Sequence, residues 1–189
     1  MEKENRIEIR LAGSGGQGLV LAGLILAYAA IIDGKNAVQT QMHGPESRGG
    51  MSRSEVIISD KSIAYPQCTI PDILLVMSQE AYDKFAGQVK PGGRFYVDST
   101  FITGNMKTDG INSYYIPVTE ETKKQLDKAI VANITAISLV NEVEELVNPD
   151  ALFDAIKQRV PEKFRDLNES AFHLGRELAR EYIIQKSKT

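Results

Sequence analysis

Strands that alternate with helices along this chain predict an α/β fold: a Rossmann-like, doubly wound, mostly parallel sheet with helices on both faces and a helical C-terminal part. Three observations carry that prediction. Arg6 to Ala12 alternates, with Ile7, Ile9 and Leu11 apolar, and runs into the glycine-rich turn Gly13-Ser14-Gly15-Gly16-Gln17-Gly18 and then a long apolar helix. Ile73 to Met77 is a short continuous apolar run, as in a strand buried on both faces of a parallel sheet. The last third is helical in pattern, without an obvious strand. At 189 residues, with 42% hydrophobic and 25% charged residues and no linker or repeat, residues 1–189 read as a single domain.

The first helix is expected from Gln17 to Ile32. Leu19, Val20, Leu21, Leu24, Ile25, Leu26, Ile31 and Ile32 leave it no polar face, so the sheet and something else should both cover it. Asp33-Gly34 ends it, with Gly34 suited to the left-handed position after a helix. Ala37 to Gln41 and Ser54 to Ser59 read as the second and third strands, with the loop from Met42 to Gly50 between them. After the Ile73–Met77 strand, Ser78 caps a helix with Glu80 near its positive end, running to about Val89 and stopping at Lys90-Pro91-Gly92-Gly93. Arg94 to Asp98 and Ser113 to Pro117 are further strands, and Thr119 caps a helix carrying Glu120 and Glu121 in its first turn. Val131 to Leu146 reads as helix, Asn148-Pro149-Asp150 opens another that Val160-Pro161 ends, and Glu162 to Lys186 is mostly helical.

Composition removes several function classes. A net charge of −3 gives no basic field for nucleic acid. Leu11 to Ile32 lacks charge, but its glycines break a continuous helix and leave about 15 residues after Gly18, too few to cross a bilayer. The mixed charges of Met1 to Arg6 are no signal peptide, so no membrane and a cytoplasmic location are expected. Cys68 is the only cysteine; it fits a reducing cytosol, cannot hold an iron–sulfur cluster that needs four thiolates, and has no basic neighbour in sequence to activate it. His43 and His173 have no second ligand at a metal-binding spacing, so no metal site is expected. No nucleophile elbow or Ser/His/Asp order is present, and no catalytic residue is assigned.

Two loops carry the chemistry that remains. Gly13, Gly15, Gly16, Gln17 and Gly18 form a strand–turn–helix turn in which a pyrophosphate could approach backbone N–H groups at a helix N-terminus. A nicotinamide or flavin site would add an acidic residue at the end of the second strand, but that strand ends in Gln39-Thr40-Gln41-Met42, and Asp33 belongs to the helix end. The second loop, Gly44-Pro45-Glu46-Ser47-Arg48-Gly49-Gly50 followed by Arg53, places a guanidinium able to clamp a carboxylate or phosphate beside Glu46, or holds a plain surface ion pair. Both loops should lie at the carboxyl ends of the strands. Asn133, polar within an apolar helical run, either bonds a backbone group near that edge or is satisfied in the core, and Asp98 at a strand end either faces the same crevice or is a plain turn residue.

In this order and spacing, Ala12 to Gly18, Gln41 to Gly50, Ser54 to Asp60, Pro71 to Leu75, Gln79 to Tyr82 and Val131 to Asn133 resemble the gamma subunit of the 2-oxoacid:ferredoxin oxidoreductases. Ala37 to Gln41 and Phe164-Arg165-Asp166-Leu167-Asn168 look most like the 2-oxoglutarate members, with the pyruvate and branched-chain 2-oxoacid enzymes as alternatives. The resemblance implies a multi-subunit oxidoreductase that decarboxylates a 2-oxoacid, passes the acyl group to coenzyme A and the electrons to ferredoxin. It implies alpha, beta and ferredoxin-like delta partners carrying thiamine diphosphate and the iron–sulfur clusters. No Gly-Asp-Gly followed by Asn-Asn, the pattern that resembles a thiamine diphosphate site, occurs here. This chain alone is therefore expected to hold neither cofactor. Coenzyme A could meet the glycine turn and Arg48 or Arg53; alternatively these loops only dock on sister subunits, as an assembly module.

Overall fold

The computed structural model describes residues 6–43, 50–103 and 110–184. Six strands, β1 (Arg6–Ser14), β2 (Asn36–His43), β3 (Met51–Ser59), β4 (Ile73–Val76), β5 (Arg94–Asp98) and β6 (Asn112–Ile116), form one sheet in the order β2-β3-β1-β4-β5-β6. β1, β4, β5 and β6 pair in parallel, whereas β3 is antiparallel to both β1 and β2. The reversal follows from length. Parallel neighbours need a crossover of about a dozen residues or more, and the segment between His43 and Met51 is too short for one. β2 and β3 therefore form a hairpin, and Val56 of β3 pairs with Ile9 of β1.

The helices are α1 (Leu19–Ile32), α2 (Gln79–Phe85), α3 (Val118–Leu126), α4 (Ala132–Glu144), α5 (Pro149–Arg159) and α6 (Arg165–Ala179). Short 3₁₀ turns occupy Ala129–Val131 and Glu162–Phe164, and a π-helical turn Arg180–Ile184 follows α6. Helices cover both faces unequally. Ile9, Leu11, Val56, Ile58, Ile73 and Leu75 share one large core with α1, α4, α5 and α6. On the other face Ala12, Leu74, Val76, Phe95 and Val97 lie under Tyr82 and Phe85 of α2.

α1 is covered from more than one side, as its composition requires: Leu19, Ile25 and Leu26 are buried, and only Leu24, Ile31 and Ile32 remain exposed. Its end is a paired-bond cap in which Gly34 N–H donates to Ile31 O and Lys35 N–H to Ala30 O, at 3.1 and 2.9 Å. α2 begins as expected, Ser78 Oγ accepting from Ala81 N–H, but stops at Phe85, not near Val89. There the Gln88 side chain takes the Lys84 carbonyl at 3.0 Å while Gln88 N–H turns to Phe85 O at 2.8 Å, ending the regular ladder. Thr119 is not the cap of α3, which starts at Val118 after Pro117; its hydroxyl donates to Asp98 instead. Asn148 does cap α5, accepting from Asp150 N–H with Pro149 in the first turn.

Candidate functional site

The glycine turn closes β1 at the carboxyl edge of the parallel strands, and side chains from two other elements hold it. Gln17 Oε1 accepts from Ser14 N–H at 2.7 Å and its Nε2 donates to the Met77 carbonyl at 2.7 Å, tying the turn to the end of β4. Gln17 Oε1 fills the space where Gly13 lacks a Cβ, so this bridge depends on the glycine. Gly18 sits in the left-handed region at φ 74° as the residue before α1. Asn133 Nδ2 donates to its carbonyl at 3.0 Å, and a Cβ there would stand 2.6 Å from that nitrogen. Gly15 and Gly16 are exposed, and among the described residues nothing lies within 4 Å of where a Cβ of Gly16 would be. α1 has no acidic residue in its first turn, so no charge of the helix itself offsets the positive end of its dipole beside this exposed backbone.

Gly15 N–H donates to the Gly50 carbonyl at 2.7 Å, so the turn and the end of the second loop meet at one edge, as expected. Glu46, Arg48 and Gly49 lie outside the described residues. Gly16 stands between two grooves. One, of about 330 Å³, is walled by Leu21, Val131, Val160, Phe164 and Leu167, with Asn133 and Asn168 as polar points. The other, of about 270 Å³, is lined by Gln17, Met77, Phe101, Thr119, Ala129 and Ala132. Ile130, 75% exposed, borders both, and Phe101 and Phe164 are exposed beside them.

A family model described as pyruvate ferredoxin/flavodoxin oxidoreductase matches residues 8–178. The chain belongs to that family. Within it, this is a gamma-subunit chain of a 2-oxoacid:ferredoxin oxidoreductase, part of a multi-subunit complex. It is 43% identical over 178 residues to the 2-oxoglutarate synthase subunit KorC of Methanocaldococcus jannaschii, covering 93% of this chain and 95% of that one. The crystal structure of a keto/oxoacid ferredoxin oxidoreductase gamma subunit from Geobacter sulfurreducens superposes with a TM-score of 0.85 at 42% identity, covering 94% of this chain and 98% of that one. The same fold recurs in a 2-oxoglutarate:ferredoxin oxidoreductase chain from Magnetococcus marinus, with a TM-score of 0.84 at 24% identity, covering 95% of this chain and 32% of that longer one.

The gamma chain's remaining polar residues take other places. Arg53 lies within β3 opposite Ala12, so the pleat turns it to the α2 face, away from α1. There its guanidinium contacts Met42 Sδ, lies 3.5 Å from Glu55 Oε1 and sits over the Phe85 ring. Glu55 is also held by buried Arg10 at 2.8 Å. Asp98 is fully buried and spent on Thr100 and Thr119, which anchor the turn after β5. Asp33 is at the far end of α1, accepting from Asn148 N–H and pairing with Lys35 at 3.0 Å, so it cannot serve a ribose at the glycine turn. Burial first, then Glu55, push the Cys68 thiol up to about 12. Among the described residues no group of three His, Cys, Asp or Glu could hold a metal ion, and no helix is long and apolar enough to cross a membrane. Sequence reasoning found Asn133 but missed Ile130, Phe101 and the groove; Phe164 to Asn168, already singled out by resemblance, was the available signal.

Proposed function

We propose that this chain is the gamma subunit of a cytoplasmic 2-oxoglutarate:ferredoxin oxidoreductase and that its glycine turn receives the phosphates of coenzyme A. The observation that carries the phosphate assignment is the exposed backbone at Gly16, set at the start of α1, whose first turn has no acidic residue, and braced by Gln17 and Asn133. Likeness to the KorC subunits supports the choice of oxoacid. Gly50 brings the end of the second loop to the same edge, and in this proposal Arg48 of that loop, with Glu46 and Gly49 beside it in sequence, would pair with a charged oxygen of the coenzyme.

Thiamine diphosphate, which decarboxylates the oxoacid, and the iron–sulfur clusters, which carry electrons to ferredoxin, are assigned in this proposal to alpha, beta and ferredoxin-like delta partners. One cysteine, buried and held protonated, does not fit a cluster, whereas the turn does fit a polyphosphate. The gamma chain then binds and orients the acyl acceptor and contributes no complete active site. Purified alone it should not reduce methyl viologen with 2-oxoglutarate and coenzyme A. The complex containing it should, with 2-oxoglutarate preferred over pyruvate and 2-oxoisovalerate. Activity from the single chain, or a preference for another oxoacid, contradicts the proposal.

A purely assembling role is favoured by one observation: Phe101, Ile130 and Phe164 expose apolar surface around the same turn, as a docking face would. Calorimetry with coenzyme A on the chain and on the complex separates the two, absence of heat in both favouring assembly.

A further inference from the structure

β2 closes one edge of the sheet. Among the described residues it pairs only with β3, which leaves the backbone groups of its outer side without a partner strand. Proteins blunt such edges with short strands, lysines, prolines or bulges. β2 has none of these: it runs for eight residues, Asn36–His43, in unbroken register with β3 and carries no lysine or proline. The helix above that edge is open on the same side. α1 lies over β3 and β2. α4 reaches it from the side of β4 and β5, Asn133 bonding Gly18 and Glu144 pairing with Arg94 of β5. α5 packs along its Tyr28 side, where Tyr28 Oη donates to Gln158 and Arg159 lies over the ring. The remaining flank, directed outward over β2, is formed by Val20, Leu24, Ala27 and Ile31. Leu24 and Ile31 are 40% and 56% exposed. Their spacing of four, three and four residues is that of the seam between paired helices, and Ala27 at its middle is small enough to let two axes approach. An exposed apolar seam beside an unblunted strand edge marks an interface.

We infer that a second copy of this chain covers this side, through a twofold axis normal to the sheet that pairs β2 with β2 and α1 with α1, both antiparallel. Charge selects a second copy. Near a twofold axis each segment meets itself, so a charged residue would face its own like and repel it. Neither Asn36–Met42 nor Leu19–Ile32 contains a charged residue, and Asp33 and Lys35 just beyond α1 neutralise each other at 3.0 Å. The same rotation satisfies both layers at once, because the strand edge and the helix seam lie one above the other. One sheet then passes through both copies, and the two α1 helices, each about 21 Å long, lie along one another. A strand from a sister subunit is the competing occupant.

Sedimentation of the purified full chain over a range of concentrations tests this, and the wild type should sediment as a dimer. Leu24→Glu and Gln41→Lys put a charge on the helix seam and on the strand edge, at exposed positions that a monomer tolerates. Each should raise the dissociation constant at least about a hundredfold, with circular dichroism establishing that the variants fold. Ile70→Glu, exposed on the loop whose Thr69 carbonyl accepts from Arg10 on the opposite face, should leave the constant unchanged. Hydrogen exchange on the wild type needs no variant: peptides covering residues 20–32 and 36–42 should gain protection as the chain is concentrated, and residues 73–77 should not. A wild-type chain that stays monomeric at its highest soluble concentration overturns the inference, in favour of a sister subunit if Leu24→Glu then fails to enter the complex. A dimer that both charged variants leave intact, one that Ile70→Glu breaks equally, or an absence of added protection in both peptides also overturns it.

Discussion

Asn133 of α4 donates its Nδ2 to the carbonyl of Gly18, and the same carbonyl accepts from Ala22 N–H in the first turn of α1. One polar side chain from the distant half of the chain thereby locks the start of the glycine-turn helix. Gly18→Ala meets both constraints at once: a left-handed residue with a Cβ, and a contact 2.6 Å from Asn133 Nδ2. The left-handed conformation alone costs roughly 1–2 kcal/mol, and displacing Asn133 adds to it. Denaturant unfolding at pH 7 should show a loss of about 2 kcal/mol or more.

Gln17→Glu keeps an acceptor for Ser14 N–H but removes the donor to the Met77 carbonyl and adds a negative charge beside Gly16. Stability should fall by about 1–2 kcal/mol. Coenzyme A affinity of the complex, measured by calorimetry, should fall about tenfold through repulsion of the phosphates. Unchanged affinity would place the phosphates elsewhere.

Two glutamates of α4 should respond to pH in opposite directions. Burial raises the pKa of Glu142, but hydrogen bonds from Arg176 and Arg180 outweigh it and hold the carboxyl below its ordinary value of 4.5. A depressed folded pKa stabilises above the ordinary value and is lost as pH falls through the folded one. Glu142→Gln should therefore cost about 1–3 kcal/mol at pH 7 and progressively less as the pH falls below 4.5. Glu144 is raised, chiefly by burial, although Tyr96 and Arg94 pair with it. Its contribution is complete below 4.5 and is lost as pH rises through the folded value. Glu144→Gln should then equal or exceed wild-type stability at pH 7 and flatten the decline that sets in above 4.5.

Cys68, pushed up to about 12, should resist alkylation at pH 8 in the folded chain and react on denaturation. Equal rates of iodoacetamide labelling in both states would contradict its burial.

The strand–turn–helix start was legible because its determinants are local: alternation in Ile7, Ile9 and Leu11, glycines where the chain turns, and an uncharged helix after them. The insertion of β3 between β2 and β1 was not legible, since it is set by long-range pairing such as Ile9 with Val56. That pairing also decides Arg53. Strand propensity starts at Ser54, but β3 extends back to Met51, which places Arg53 inside the pleat on the α2 face. Thr119 looks like a cap in sequence because nothing local reveals that Asp98 takes its hydroxyl. The groove is least legible of all, because Leu21, Ile130, Asn133, Phe164 and Asn168 converge only after α1, α4 and α6 have packed.

Hydrogen exchange on the active complex, with and without saturating coenzyme A, tests the glycine turn as a coenzyme site most directly. The peptide covering residues 13–21 should be protected by the coenzyme, and the protection should vanish in Gln17→Glu. Full stimulation of activity by coenzyme A with unaltered exchange across that peptide would contradict the assignment.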